Sequence, residues 1–118
     1  MITNRSLVAA VGPTQAPIFK FTGTVRGALL LILENLDDVN QLTYKVQESN
    51  DGVTWTDKIF VVGDSNVSTF VIDHGGAHTF RVQPATLHTR LVGSGSLTVN
   101  VGLSYSTAGS DSAPELYA

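Results

Sequence analysis

The sequence contains no cysteine, which excludes a disulfide framework, a thiolate metal site and thiol catalysis. Charge is scarce as well. Asp, Glu, Lys and Arg make up 14% of the residues, against about 25% in ordinary soluble domains, so the solvated surface must be built largely from Thr, Ser, Asn, Gln and Gly. Such a surface suits a β-protein, and it suits a subunit whose outside faces other protein. The longest apolar run, Ala28 to Leu33, falls far short of the roughly 20 residues that a membrane-spanning helix needs. The opening Met1-Ile2-Thr3-Asn4-Arg5-Ser6 is not a charged segment leading into an apolar stretch, so we expect no secretory signal and a soluble product made in a cytoplasm. No Gly-x-Ser-x-Gly elbow, His-Glu-x-x-His, phosphate loop or dinucleotide fingerprint occurs, and nothing singles out a nucleophile. We therefore expect no enzyme and no cofactor.

What is present is a strand pattern. The chain has 118 residues, 42% of them hydrophobic, which is enough for one core that buries roughly two-thirds of the unfolded surface. From Leu97 to Tyr105 each odd position is apolar and each even one is polar or Gly, the signature of a strand with one wet face. Leu42-Thr43-Tyr44-Lys45-Val46-Gln47-Glu48 and His78-Thr79-Phe80-Arg81-Val82-Gln83 repeat it. Shorter β-rich stretches run over Ile18–Val25, Ala28–Leu33, Lys58–Val62, Thr69–Ile72 and His88–Val92. Asp51-Gly52, Gly63-Asp64-Ser65-Asn66, Gly75-Gly76 and Gly93-Ser94-Gly95 punctuate them. About eight short strands without helical periodicity predict one all-β domain, an antiparallel sandwich or jelly roll.

The ends read differently from the middle. Residues 1–17 carry apolar patches but are interrupted by Gly12-Pro13 and Pro17, and proline is poorly tolerated inside a central strand. We expect an extended arm over 1–17, the sandwich over 18–106 and a flexible polar tail over 107–118. Net charge is −3, unevenly spread. Residues 1–33 hold Arg5, Lys20 and Arg26 and no acid, whereas 107–118 hold Asp111 and Glu115 and no base. That suits an acidic protein partner and is too sparse for a nucleic-acid footprint. The partner-binding candidates are accordingly Arg5, Leu7, Val8, Val11, Lys20 and Arg26.

The sharpest local feature is Gln47 to Asp57, in which Ser49, Asp51, Gly52 and Trp55 stand out. Asp-Gly between β-rich runs predicts a hairpin, because Gly accepts the positive φ that the turn needs. Trp55 is expected to return into the core beside Tyr44 or Val46. Asp73, His74 and His78 suggest a metal site, but an i,i+4 histidine pair shares one face only in a helix, and Gly75-Gly76 is a turn; no metal is expected. Glu34, Asp37 and Asp38 are best explained as a solvated turn.

The run Leu30–Leu36, the segment Leu42–Asp57, Phe80-Arg81-Val82 and the alternating Leu97–Tyr105 resemble small β-sandwich structural proteins of tailed bacteriophages, above all head-decoration or cement proteins. The resemblance covers roughly residues 28–106 and is most specific at Ser49-Asn50-Asp51-Gly52-Val53-Thr54-Trp55. It implies a subunit of the virion, often trimeric, assembled in the host cytoplasm, that binds the major capsid protein and ties neighbouring shell subunits together, with no nucleic-acid or membrane partner. The same hairpin resembles the Ser-x-Asp-Gly-x-x-Trp segment of discoidin-type sandwiches. That implies a carbohydrate-binding module with Trp55, Tyr44 or Tyr105 as an aromatic platform beside Asn50 and Asp51. A discoidin domain, however, places much of its sandwich before this motif, for which 118 residues leave no room. A head–tail connector or tail subunit is the third alternative.

Overall fold

Alternation in the sequence becomes alternation in burial. Along Leu97–Ser106 the side chains of Leu97, Val99, Val101, Leu103 and Tyr105 are buried and their neighbours are not, because successive side chains of a strand point to opposite faces. The computed structural model describes residues 2–22, 26–83, 85–106 and 115–117. Its strands in chain order are β1 (Ile2–Val11), β2 (Ala16–Thr22), β3 (Arg26–Asn35), β4 (Leu42–Ser49), β5 (Thr56–Asp57), β6 (Phe60–Val62), β7 (Ser65–Val67), β8 (Phe70–Ile72), β9 (Ala77–Val82), β10 (His88–Ser94), β11 (Leu97–Ser106) and β12 (Glu115–Tyr117). None of the described residues is helical.

The pairing is that of a long hairpin rolled up on itself. β1 pairs with β11, β2 with β10, β3 with β9 and β4 with β8, all antiparallel. Two further pairings, β3 with β11 and β4 with β10, fold this ladder into two sheets of order β1-β11-β3-β9 and β2-β10-β4-β8. This is the eight-strand jelly roll, one of the two all-β architectures expected, although the eight stretches read from the sequence counted Lys58–Val62 and left out β1. β12 extends the second sheet beyond β2, β5 joins β4 on the same edge as β8, and β6 with β7 makes a separate ribbon.

The inner faces form one core. Leu29, Leu31, Leu33, Val82, Val99, Val101 and Leu103 of the first sheet meet Phe19, Phe21, Leu42, Tyr44, Val46, Ile72 and Leu91 of the second. Each fully buried side chain of this size contributes about 1.5–3 kcal/mol of transfer free energy. At Gly93 the backbone of β4 comes so close that a Cβ would lie 2.6 Å from the Thr43 carbonyl oxygen; only glycine fits.

The expected N-terminal arm is instead a strand of the sandwich. β1 runs in register with β11 from Ile2↔Ser106 to Val11↔Leu97, and Ala9 and Val11 are buried in the core with Leu7 packed against it. The prolines do not oppose this, because of where they fall. Pro13 lies after β1 has ended, and Pro17 sits in β2 where the register with β10 shifts between Leu91 and Val92, a position at which a missing N–H is tolerated. Of the expected polar tail, residues 107–114 and 118 lie outside the described residues. Glu115–Tyr117 form β12, paired with Tyr117↔Lys20 to Glu115↔Thr22.

Candidate functional site

β4 leads into the Asp51-Gly52 turn and returns as β5. The hydroxyl of buried Ser49 donates to Asp51 Oδ1 at 2.8 Å and accepts from the Gly52 N–H at 2.9 Å. Asp51 Oδ1 in turn accepts the N–H groups of Val53 (2.8 Å) and Thr54 (2.9 Å). These donors stabilise the ionised form, Thr54 and Val53 most and the Ser49 hydroxyl next, and hold the Asp51 carboxyl down to about 2. Gly52 has φ +77°, the left-handed region that side chains disfavour.

Trp55 does not enter the core. That space is filled by Tyr44, Val46 and Phe70, and the tip of the hairpin lies back over the outer face of the second sheet. There the indole covers Arg90, whose Cζ is 4.2 Å from the ring centroid, with Lys20 Nζ at 5.8 Å and the His88 ring edge-on at 6.4 Å. A cation–π contact of this kind contributes about 0.5–2 kcal/mol. Beneath it runs a row of cross-strand partners, Lys20, Arg90, Gln47 and Asp57, on four adjacent strands. Arg90 Nε donates to Gln47 Oε1 at 2.8 Å, Gln47 Nε2 donates to Asp57 Oδ1 at 2.8 Å, and Lys45 Nζ pairs with Asp57 Oδ2 at 3.2 Å. The Gln47 amide, followed by Lys45, keeps the Asp57 carboxyl below its usual range, while burial lowers Arg90. Asp57 is thereby taken by Lys45 and Gln47, and Arg90 has no carboxylate partner among the described residues. Sequence reasoning missed Arg90 and Gln47, which look like ordinary wet-face residues until the strand register sets them side by side.

A second surface is apolar. The β6–β7 ribbon overhangs a groove of about 450 Å³ with Tyr44, Phe60, Phe70 and His78 among its walls. The Tyr44 hydroxyl lies 2.9 Å from His78 Nδ1, and Phe70 stacks on Tyr44 at 5.4 Å. Burial pushes the Tyr44 phenol above its ordinary range. Val61 and Val62, which line the groove, are 76% and 55% exposed; Ile59 and Val71, in the same stretch of chain, are exposed as well.

The remaining sequence candidates disperse. Val8 stands exposed on the outer face of the first sheet, whereas Val11 is buried in the core and half-buried Leu7 packs against it. Arg5 lies exposed on β1, Lys20 belongs to the Trp55 cluster, and Arg26 opens β3. Tyr44 and Tyr105, the other two aromatics of the suggested sugar platform, are buried. Among the described residues no three His, Asp or Glu side chains converge as metal ligands; Asp73 accepts from Gln41 at 2.7 Å.

No family model matches the chain, and no curated protein matches it. A solved structure does: a chain from work on Bacillus endospore appendages, described as a family of disulfide-linked pili, superposes with a TM-score of 0.53 and 13% identity, over 92% of this chain and 88% of that one. At that identity the likeness concerns the fold. It is a likeness of β-rich architecture along nearly the whole chain.

Proposed function

We propose that the chain is a structural subunit, without catalytic activity, that docks on a protein lattice in the manner of a capsid decoration or cement protein. The observation that carries this reading is the apolar wing of Ile59, Val61, Val62 and Val71, gathered in one segment and open to solvent. Single exposed apolar residues are ordinary, but four exposed β-branched side chains in one short stretch, two of them lining an aromatic-floored groove, mark a protein contact. The low charge of the chain supports it, since lattice contacts deplete charge at their centres. The proposed partner is the major capsid protein, with a homotrimer as the docking unit, so that avidity adds to weak single contacts.

A second reading is a subunit of a tail, connector or extracellular appendage. The likeness to the pilus chain favours the appendage, with one difference: this sequence has no cysteine, so any such lattice must be held together without disulfides. Both readings are tested on particles produced by the encoding genome. Mass spectrometry of gradient-purified particles should find the chain at a copy number comparable with the shell protein, and Val61→Asp/Val62→Asp should leave it in the soluble fraction with its β spectrum intact. A chain absent from every particle, or a double variant that is incorporated normally, would overturn the proposal.

A further inference from the structure

The two ends of the sandwich carry complementary chemistry. At one end, loops 12–15, 36–41, 73–76 and 95–96 come together through Asn40 Nδ2 to the Ser96 carbonyl (3.0 Å), Gln41 Nε2 to Asp73 Oδ1 (2.7 Å) and the Gly95 N–H to the Gly12 carbonyl (3.0 Å). These loops hold Asp37, Asp38 and Asp73 and no Lys or Arg. Leu36 and Val39, 46% and 76% exposed, flank Asp37 and Asp38. The loop is stiff before anything binds: Asn35 Nδ2 reaches the Asn40 and Ile72 carbonyls at 2.8 and 3.2 Å, and Asp37 Oδ1 accepts the N–H groups of Val39 and Asn40, each at 2.7 Å. Asp38 makes no hydrogen bond or ion pair among the described residues.

Toward the other end lies the Trp55 cluster, where the Arg90 guanidinium lies against the indole and the nearby carboxylate, Asp57, is already held by Lys45 and Gln47. Apart from the bond from Nε to Gln47, the guanidinium of Arg90 keeps its donors uncommitted among the described residues. A flat arginine fork under a half-buried tryptophan combines the two residue types most enriched at the centres of protein contacts, and the fork matches a carboxylate. Arg90 lies opposite Gln47, six residues beyond the Leu36–Gln41 loop, about 20 Å of extended chain. Loop and guanidinium cannot meet within one molecule.

We propose that copies of this chain bind head to tail, the Leu36–Gln41 loop of one copy seated on the Trp55–Arg90–Lys20 patch of the next. The inference rests on the reading of the chain as a lattice subunit and specifies a contact between its copies. Asp38 pairs with Arg90, and Val39 packs beside the indole. Because the two patches differ, the contact is heterologous and repeats, closing into a ring or extending as a filament according to the rotation between copies. Fixed loops on both sides reduce the ordering cost of the contact.

The test is sedimentation velocity of the full chain over a range of concentrations at low and high salt. The parent should self-associate, more weakly in salt. Arg90→Glu and Asp38→Lys should each weaken association about tenfold or more, with the circular dichroism spectrum of the parent. An equimolar mixture of the two variants should recover it, since each then offers what the other lacks. Variants that associate like the parent, or a mixture no better than its components, would overturn the inference. A parent that stays monomeric yet joins particles would overturn it too, leaving the lattice reading intact; a parent that self-associates but joins no particle would remove the lattice reading alone.

Discussion

Both ends of β4 are closed by the same chemical device, and the two copies behave differently. Before the strand, Asp37 accepts the N–H groups two and three residues on, Val39 and Asn40, while the side chain of Asn35, two residues back, accepts the Asp37 N–H at 2.9 Å. After the strand, Asp51 accepts from Val53 and Thr54, and Ser49, again two residues back, accepts the Asp51 N–H at 3.3 Å. The two turns part at the residue after the aspartate and at the strands they bridge. Gly52, at φ +77°, lets the second turn reverse the chain into a hairpin within one sheet, so that Trp55 falls back on the outer face. Asp38 and Val39 have no positive φ, and the first turn crosses from β3 in one sheet to β4 in the other. Asn35, unlike Ser49, also reaches two backbone carbonyls, one of them on β8. One aspartate turn braces the sandwich; the other decorates its surface.

The largest expected effect comes from that bracing. Asn35→Ala strands the Ile72 carbonyl in a buried setting and frees the loop, and should cost about 3 kcal/mol in urea unfolding with an unchanged slope. Ser49→Ala should cost about 1 kcal/mol, having local backbone N–H groups to lose. Equal losses would erase the asymmetry. Next comes Gly52→Val, which forces a β-branched residue into the left-handed region against His88, 3.5 Å from the new Cβ. It should cost about 2 kcal/mol and expose Trp55 to iodide quenching; an unchanged quenching constant would detach the turn from the cluster.

The smallest effect is electrostatic and acts at both ends. The Asp51 carboxyl sits at about 2 in the fold against an ordinary 3.8, and Asp37 is lowered in the same direction by the Asn40 and Val39 N–H groups. A depressed carboxyl contributes its stability in full above the unfolded value and loses it as pH falls through the folded one. The deficit of Asp51→Asn relative to the parent should therefore be complete at pH 6 and shrink between about pH 4 and pH 2, and Asp37→Asn should show the same sign. A deficit independent of pH would mean that shape alone holds these turns.

Strand identity was legible because burial on one face writes itself into alternation, as in Leu97–Tyr105. The Asp51-Gly52 turn was legible because its hydrogen bonds span at most three residues. Residues 1–17 misled for a definable reason: Pro13 and Pro17 are read as breakers, and whether a proline falls in a connection or at a register shift depends on which strand lies alongside. Trp55 misled because the size of an aromatic suggests the core, whereas the room left in that core is settled by Tyr44, Val46 and Phe70. The Lys20–Arg90–Gln47–Asp57 row joins residues from four strands, and no local pattern encodes that adjacency.

By itself, then, the sequence determined the all-β class, the absence of thiol chemistry and the local turn at Asp51, since each depends on composition or on neighbours along the chain. Only the tertiary structure decided that β1 belongs to the sandwich, that Trp55 caps a polar row on the surface, and that the Asp37–Asp38 loop and Arg90 lie toward opposite ends of β4. Those outcomes depend on pairings between residues far apart in the chain, as Leu7 with Val101 or Lys20 with Arg90, and such pairings are chosen by the competition of whole faces for one core.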